Sequence, residues 1–153
     1  MKKTSRLLQM PMAIDKHRVL DRVRAAKKSL TPQRMCVLDA IADTDCPLSA
    51  YTLQEMLAAQ GNSLNISTIY RVLDFWVELG LIHKIESNST FVLCQDQHTH
   101  HLHVIQHCIS CHGISEACEL SQRMTLPTAN AFAPQRDQVI ELKGTCSRCQ
   151  TEA

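Results

Sequence analysis

Cys108-Ile109-Ser110-Cys111 and Cys146-Ser147-Arg148-Cys149 are two CxxC pairs. Two thiolates at that spacing reach one ion, and two such pairs complete a tetrahedral sulfur shell. A closed shell leaves no position for a reacting water, so the chemistry it offers is structural. Zinc suits it best, while iron in a rubredoxin-like arrangement uses the same ligands. The 34 residues between the pairs exceed the roughly 15 to 20 of ordinary zinc ribbons. The two knuckles are therefore expected to clamp the ends of a small domain, with chance or redox pairs as the alternative. Cys36, Cys46 and Cys118 read as small hydrophobes.

A second constellation surrounds a short hairpin. If its turn centres on Asn88-Ser89, His83 stands directly opposite Cys94, with Cβ atoms about 5 Å apart. Imidazole and thiolate would then face one ion. His98, His100, His101 and His103 follow, and Glu116 lies just beyond the first knuckle. A set drawn from hairpin, His-rich run and distal strand would join two parts of the chain when a metal arrives. Such an ion acts as a signal only if it binds one arrangement of those parts better than another. The plainer alternative makes His83 a half-exposed strand residue and the other histidines a solvated tract.

The elements that must position these groups can be read from periodicity. Asp15 to Lys28 carries Val19, Leu20, Val23 and Ala26 at helical spacing. Thr31 and Pro32 open a second helix, with Met35, Leu38, Ile41 and Ala42 as its buried stripe. Ser49 offers the cap of a third, lined by Leu53, Met56 and Leu57 and closed by Gly61. A fourth begins near Asn65 or Ser67 and ends at Gly80, with Ile66, Ile69, Leu73, Trp76 and Val77 inward. The period then drops to two, through Leu81 to Ile85 and Thr90 to Cys94. Three helices followed by a hairpin is a winged-helix order. Three further strands are expected near 103–107, 113–119 and 138–143, with a mixed segment from Leu120 to Ala133 between the last two.

These signals predict an α+β chain of two domains. Residues 1–94 form a winged-helix DNA-binding domain, of which 1–12 are a flexible arm. Residues 95–102 form a hinge, and residues 103–153 a small α/β dimerisation and metal-binding domain with the four-cysteine zinc site. A domain below about 80 residues, such as the second, usually needs a staple or a partner. Ten of the 16 Lys and Arg residues (Lys2, Lys3, Arg6, Lys16, Arg18, Arg22, Arg24, Lys27, Lys28 and Arg34) lie in the first 35 positions, against Asp15 and Asp21 alone. That excess of +8 suits a polyanion such as DNA, the alternative being a solvated helix face. No signal-peptide pattern opens the chain and no run of residues is apolar enough for a membrane span. A cytoplasmic location with reduced thiols is the expectation.

The segment Leu30-Thr31-Pro32-Gln33-Arg34, the run Ser67 to Leu73, Leu79-Gly80-Leu81-Ile82, the His-rich stretch and the paired CxxC motifs together resemble the ferric uptake regulator family. The similarity in order and spacing runs from about Asp15 to Cys149, and His83 to Ser87 with Val92-Leu93-Cys94 look most like its zinc-sensing branch. The resemblance implies a sensory zinc on His83, Cys94, His101 and Glu116, with two zinc ions per subunit. The His-rich run is one residue shorter than the family pattern, so His103 or His100 could replace His101. Asp137 stands where iron-type relatives tend to place a further His, and a Cys ligand favours zinc over ferrous iron. The resemblance further implies a homodimer whose last strands pair across a two-fold axis, and palindromic double-stranded operator DNA. DNA contacts fall on Tyr51, Ser67, Thr68, Tyr70 and Arg71, although Tyr70 could instead pack beside Ile69 and Leu73.

The expected function is zinc-responsive repression of zinc uptake genes, with no membrane and no small-molecule partner beyond the metal. Sensing of iron, manganese or peroxide is the nearest alternative. An enzyme is a more distant one, because no HExxH-like pair is present and neither CxxC follows a βαβ pattern. A zinc-ribbon interaction module is the third.

Overall fold

Each of the first four helices begins on a side chain that accepts a backbone amide its own first turn leaves unpaired. Asp15 caps α1 (Lys16–Ala25), Thr31 caps α2 (Pro32–Ala42), Ser49 caps α3 (Ala50–Ala59) and Asn65 caps α4 (Ile66–Glu78). Their ends are equally local. After α4, Gly80 takes φ 66° while Leu81 N donates to Trp76 O at 3.0 Å and Gly80 N to Val77 O at 2.9 Å, a Schellman closure. The same closure ends α1 at Ala25, earlier than the expected Lys28, with Lys27 at φ 52° in the place glycine usually takes.

The computed structural model describes residues 13–44, 46–95, 102–124 and 138–151. The chain divides after Cys94 into two units. In the first, α1 to α4 pack with a three-stranded sheet of order β1-β3-β2, made of β1 (Leu48–Ser49), β2 (Ile82–Ile85) and β3 (Thr90–Leu93). The two-residue β1, beside Pro47, was not foreseen. The core holds Leu38, Leu53, Leu57, Ile69, Leu73, Trp76 and Phe91, all almost fully buried. Trp76 Nε1 donates to Arg34 O at 2.8 Å, so the one tryptophan enters the core with its polar atom paired.

The hairpin register differs from expectation. Ile85 pairs with Thr90 and His83 with Val92, not with Cys94, and Cys94 N donates to Leu81 O at 2.9 Å. The turn takes four residues, Glu86 to Ser89, because Asn88 Oδ1 accepts from both N and Oγ1 of Thr90 and Ser89 adopts φ 54°. The shift is two residues, which preserves the side of the sheet. His83 and Cys94 thus share a face as diagonal neighbours.

The second unit carries β4 (Leu102–Cys108), β5 (Ile114–Glu116), α5 (Cys118–Arg123), β6 (Gln138–Gly144) and α6 (Ser147–Thr151), in a sheet of order β5-β4-β6. The strand expected over 113–119 is shorter, and α6 across the second knuckle was not expected. β4 and β6 run parallel from Leu102↔Gln138 to Cys108↔Gly144. Parallel pairing sets the far ends of both strands side by side, which delivers both knuckles to one place. No described helix is long and apolar enough to cross a membrane.

If the core argument holds, Leu73→Ala should destabilise the protein by about 2 to 5 kcal/mol. A fall in the urea midpoint at unchanged slope would register it, and a change near zero would remove Leu73 from the core.

Candidate metal centres and nucleic-acid face

The sulfur cluster forms at the shared end of β4 and β6. Cys108 closes β4 and its amide donates to Gly113 O at 2.9 Å, while His112 N returns to Cys108 O at 2.9 Å, with His112 at φ 59°. Ile109 N donates to Gly144 O at 2.8 Å, tying the first knuckle to the end of β6. The Sγ atoms of Cys108, Cys111, Cys146 and Cys149 all lie within 4.8 Å of one another. Cys111 Sγ and Cys146 Sγ are 3.8 Å apart. A tetrahedral zinc with Zn–S near 2.3 Å separates its sulfurs by about 3.8 Å, so the residues fit that ion.

Backbone amides already favour negative sulfur here. Hydrogen bonds from the Cys111 and Cys146 amides bring the Cys108 thiol down to about 5, and the Cys146 amide stands 3.3 Å from Cys108 Sγ. The Cys149 amide lowers Cys146. Cys149 is pushed up to about 12, chiefly by its side-chain hydrogen bond to Cys146. Four crowded sulfurs therefore share protons until a dication replaces them.

Two further pairs of ligand-type residues are buried, one in each unit. In the helical unit, His83 and Cys94 are 3% and 4% exposed. Arg18 Nη2 donates to Cys94 Sγ at 3.3 Å and Nη1 reaches Cys94 O at 3.5 Å. In the other unit, His103 and Glu116 are 3% and 4% exposed. Glu116 pairs across the strands with Ile105, so His103, two residues along β4, shares its face. His103 Nδ1 lies 2.7 Å from Glu116 Oε1, and Glu116 Oε2 accepts from Gln95 N at 2.8 Å. His98, His100, His101 and Asp137 lie outside the described residues.

The candidate DNA face is on α4 and α3. Ser67, Tyr70, Arg71 and Asp74 are exposed, at the spacing of one helix face, opposite buried Ile69, Val72, Leu73 and Trp76. Tyr70 is 41% and Tyr51 63% exposed, so neither tyrosine is a core residue. Thr68 is half-buried, and the Ser67 hydroxyl and Thr68 amide both donate to Asn65 Oδ1 at 2.8 Å. The Ser67 hydroxyl thus joins the helix cap, whereas Thr68 contributes only its backbone amide to it. The basic tract is partly internal as well. Arg18 holds Cys94, Arg22 reaches Leu79 O, Lys28 pairs with Glu78, and Arg34 bonds Ser29 O and stacks on Phe75. Lys16, Arg24 and Lys27 are exposed, and Lys2, Lys3 and Arg6 lie outside the described residues. Nothing in the sequence separates Arg18 from its basic neighbours, because its partner is 76 positions away.

A sequence model of the ferric uptake regulator family matches residues 26–126. The zinc uptake regulation protein of Escherichia coli (strain K12) is 38% identical over 125 residues, covering 78% of this chain and 72% of that protein. Among solved structures, a zinc uptake regulator complexed with zinc and DNA has a TM-score of 0.70 at 29% identity, covering 89% of this chain and 93% of the other. The crystal structure of holo XcZur has a TM-score of 0.70 at 32% identity, covering 88% and 96%.

The sulfur cluster makes a quantitative demand. Cys108, at about 5, is ionised at neutral pH before any metal arrives, whereas Cys149, at about 12, must lose its proton to bind. Loading this site at pH 7 should release fewer than the four protons that its four thiols could yield. Calorimetry in buffers of differing ionisation enthalpy counts them, and a full four would contradict the amide stabilisation of Cys108.

Proposed function

This chain belongs to the ferric uptake regulator family, and we propose that within it the protein is a cytoplasmic zinc-responsive repressor that binds operator DNA as a homodimer and controls zinc uptake genes. Two zinc ions per subunit complete the proposal. Cys108, Cys111, Cys146 and Cys149 hold the structural one. His83 and Cys94 from the hairpin, with His103 and Glu116 from the β4-β5 pair, hold the regulatory one. One observation carries this assignment. Among the described residues the buried polar side chains are His83, His103, Ser115 and Glu116, and three of those are candidate ligands.

His103 is preferred to His101 because its ring is buried on the face of β4 that Glu116 shares, 2.7 Å from that carboxylate, so two ligand-type groups already meet. Glu116 is anchored in turn by the amide of Gln95, the residue that follows Cys94. A single thiolate with two imidazoles and a carboxylate suits zinc better than the harder ferrous ion.

A zinc ion held by these residues would supply a crosslink and not a reaction. The four side chains can satisfy it together only in one arrangement of the hairpin and the β4-β5 pair, which is how ligand binding selects a conformation. β6 lies at the edge of its sheet, a surface suited to pairing with the same strand of a second copy across a two-fold axis. Two α4 helices held at fixed spacing would meet successive major grooves of a palindromic site. Arg71 is the candidate for base readout, since guanidinium pairs bidentately with guanine, worth about 1 to 3 kcal/mol for each good pair. Tyr70 and Tyr51, both exposed, are further candidates for contacts to base methyls or phosphates. Promoter occlusion then gives repression.

His83→Ala or His103→Ala should lower bound zinc from two ions per subunit to one and abolish zinc-dependent operator binding, leaving a folded dimer, whereas His101→Ala should keep both ions. Metal analysis beside circular dichroism reads these outcomes. Two ions retained in His83→Ala would end the ligand assignment. Arg71→Ala should weaken operator binding about 5- to 150-fold with far less effect on scrambled duplex. Equal losses on both in a shift assay would make Arg71 a phosphate contact.

A further inference from the structure

Arg18 sits on the basic helix α1, yet its guanidinium engages one residue at the end of the hairpin. Nη2 donates to Cys94 Sγ at 3.3 Å and Nη1 to Cys94 O at 3.5 Å. The side chain is half-buried, and Nε is buried with no hydrogen-bond partner among the described residues. Surrendering hydration at a charged group in this way is unfavourable unless the remaining contacts are strong. Both contacts that the fork makes fall on Cys94.

We infer that Arg18 is a positioning residue of the regulatory site, holding the Cys94 sulfur and carbonyl in place for the metal and tying that site to α1. The inference rests on the proposed reading of Cys94 as a zinc ligand. A coordinated thiolate keeps lone pairs that can accept an N–H bond, and a donor there fixes the side-chain rotamer and stabilises charge on sulfur. Outer partners of this kind set metal affinity. The planar fork spans two acceptors at once, which a lysine ammonium cannot do in a fixed geometry. Val19 and Val23 are buried, Arg22 Nη1 reaches Leu79 O at 3.5 Å, and Lys28 pairs with Glu78. Arg18 is the link that ends on a candidate ligand, so occupancy at Cys94 bears directly on the first basic helix of the DNA-binding unit.

The test uses the full-length protein with zinc kept in the four-cysteine site, and two readouts on the second site. Chelator competition gives zinc affinity, and cobalt substitution gives the thiolate-to-metal charge-transfer band. Cys94→Ser should lose the second ion and the band. Arg18→Gln, and Arg18→Met, which keeps the packing stem, should weaken the second ion about 10- to 100-fold and shift the band. Arg22→Gln, which loosens α1 without touching sulfur, should leave both at wild-type values. Wild-type affinity and band in either Arg18 variant, with Cys94→Ser still defective, would overturn the positioning role and leave the ligand assignment standing. An equal defect in Arg22→Gln would overturn it too, by tracing the effect to helix docking. If Cys94→Ser retains the second ion, the ligand assignment itself falls and this inference with it.

Discussion

Placing imidazole and carboxylate groups out of reach of water is costly unless something charged or hydrogen-bonding meets them. Here the ionisable groups so placed among the described residues are His83, His103 and Glu116, each 3 to 4% exposed, and His103 and Glu116 meet one another at 2.7 Å. The other buried side chains are overwhelmingly aliphatic, as a chain with three Phe, two Tyr and one Trp requires. The hairpin holds His83 and Cys94 on one face, and the β4-β5 ladder holds His103 beside Glu116. Under the proposed function, each pair supplies ligand atoms of a kind that a borderline-soft dication accepts.

The electrostatics of the amino-terminal third also divide by location. Four of its basic residues serve as internal ties, to a sulfur, to carbonyl oxygens, to Glu78 and to the Phe75 ring. The exposed Lys16, Arg24 and Lys27 are left to face a polyanion. A formal charge summed over a sequence therefore overstates the number of side chains free to reach DNA phosphates, because the partnered ones are held elsewhere and Lys28 is paired with Glu78.

Much was legible in advance, and for local reasons. Thr31-Pro32, Ser49 and Asn65 announced helix starts through capping chemistry acting within three residues, and Gly80 announced an end through the left-handed conformation it tolerates. The two CxxC pairs announced the sulfur cluster because ligand spacing is itself local. What escaped depended on distance or on fine geometry. Register at the hairpin turned on whether Asn88 would bond Thr90, the two-residue β1 on pairing with β3, and the Arg18 contact on a partner 76 positions away. The preference for His103 needed its position on the face of β4 that carries Ile105, the residue paired with Glu116.

The parallel pairing of β4 with β6 also dictates an order of assembly. Leu102 pairs with Gln138, 36 positions further along, so this ladder cannot form until that later strand has been made. The helical unit, by contrast, draws on contacts contained between Met10 and Cys94. On a ribosome it can therefore mature first, while Cys108 and Cys111 wait as an open half-clasp for the second knuckle. If the four thiols take zinc as proposed, they must stay reduced through that interval, and the chain's own biogenesis would draw on the pool that it is proposed to report.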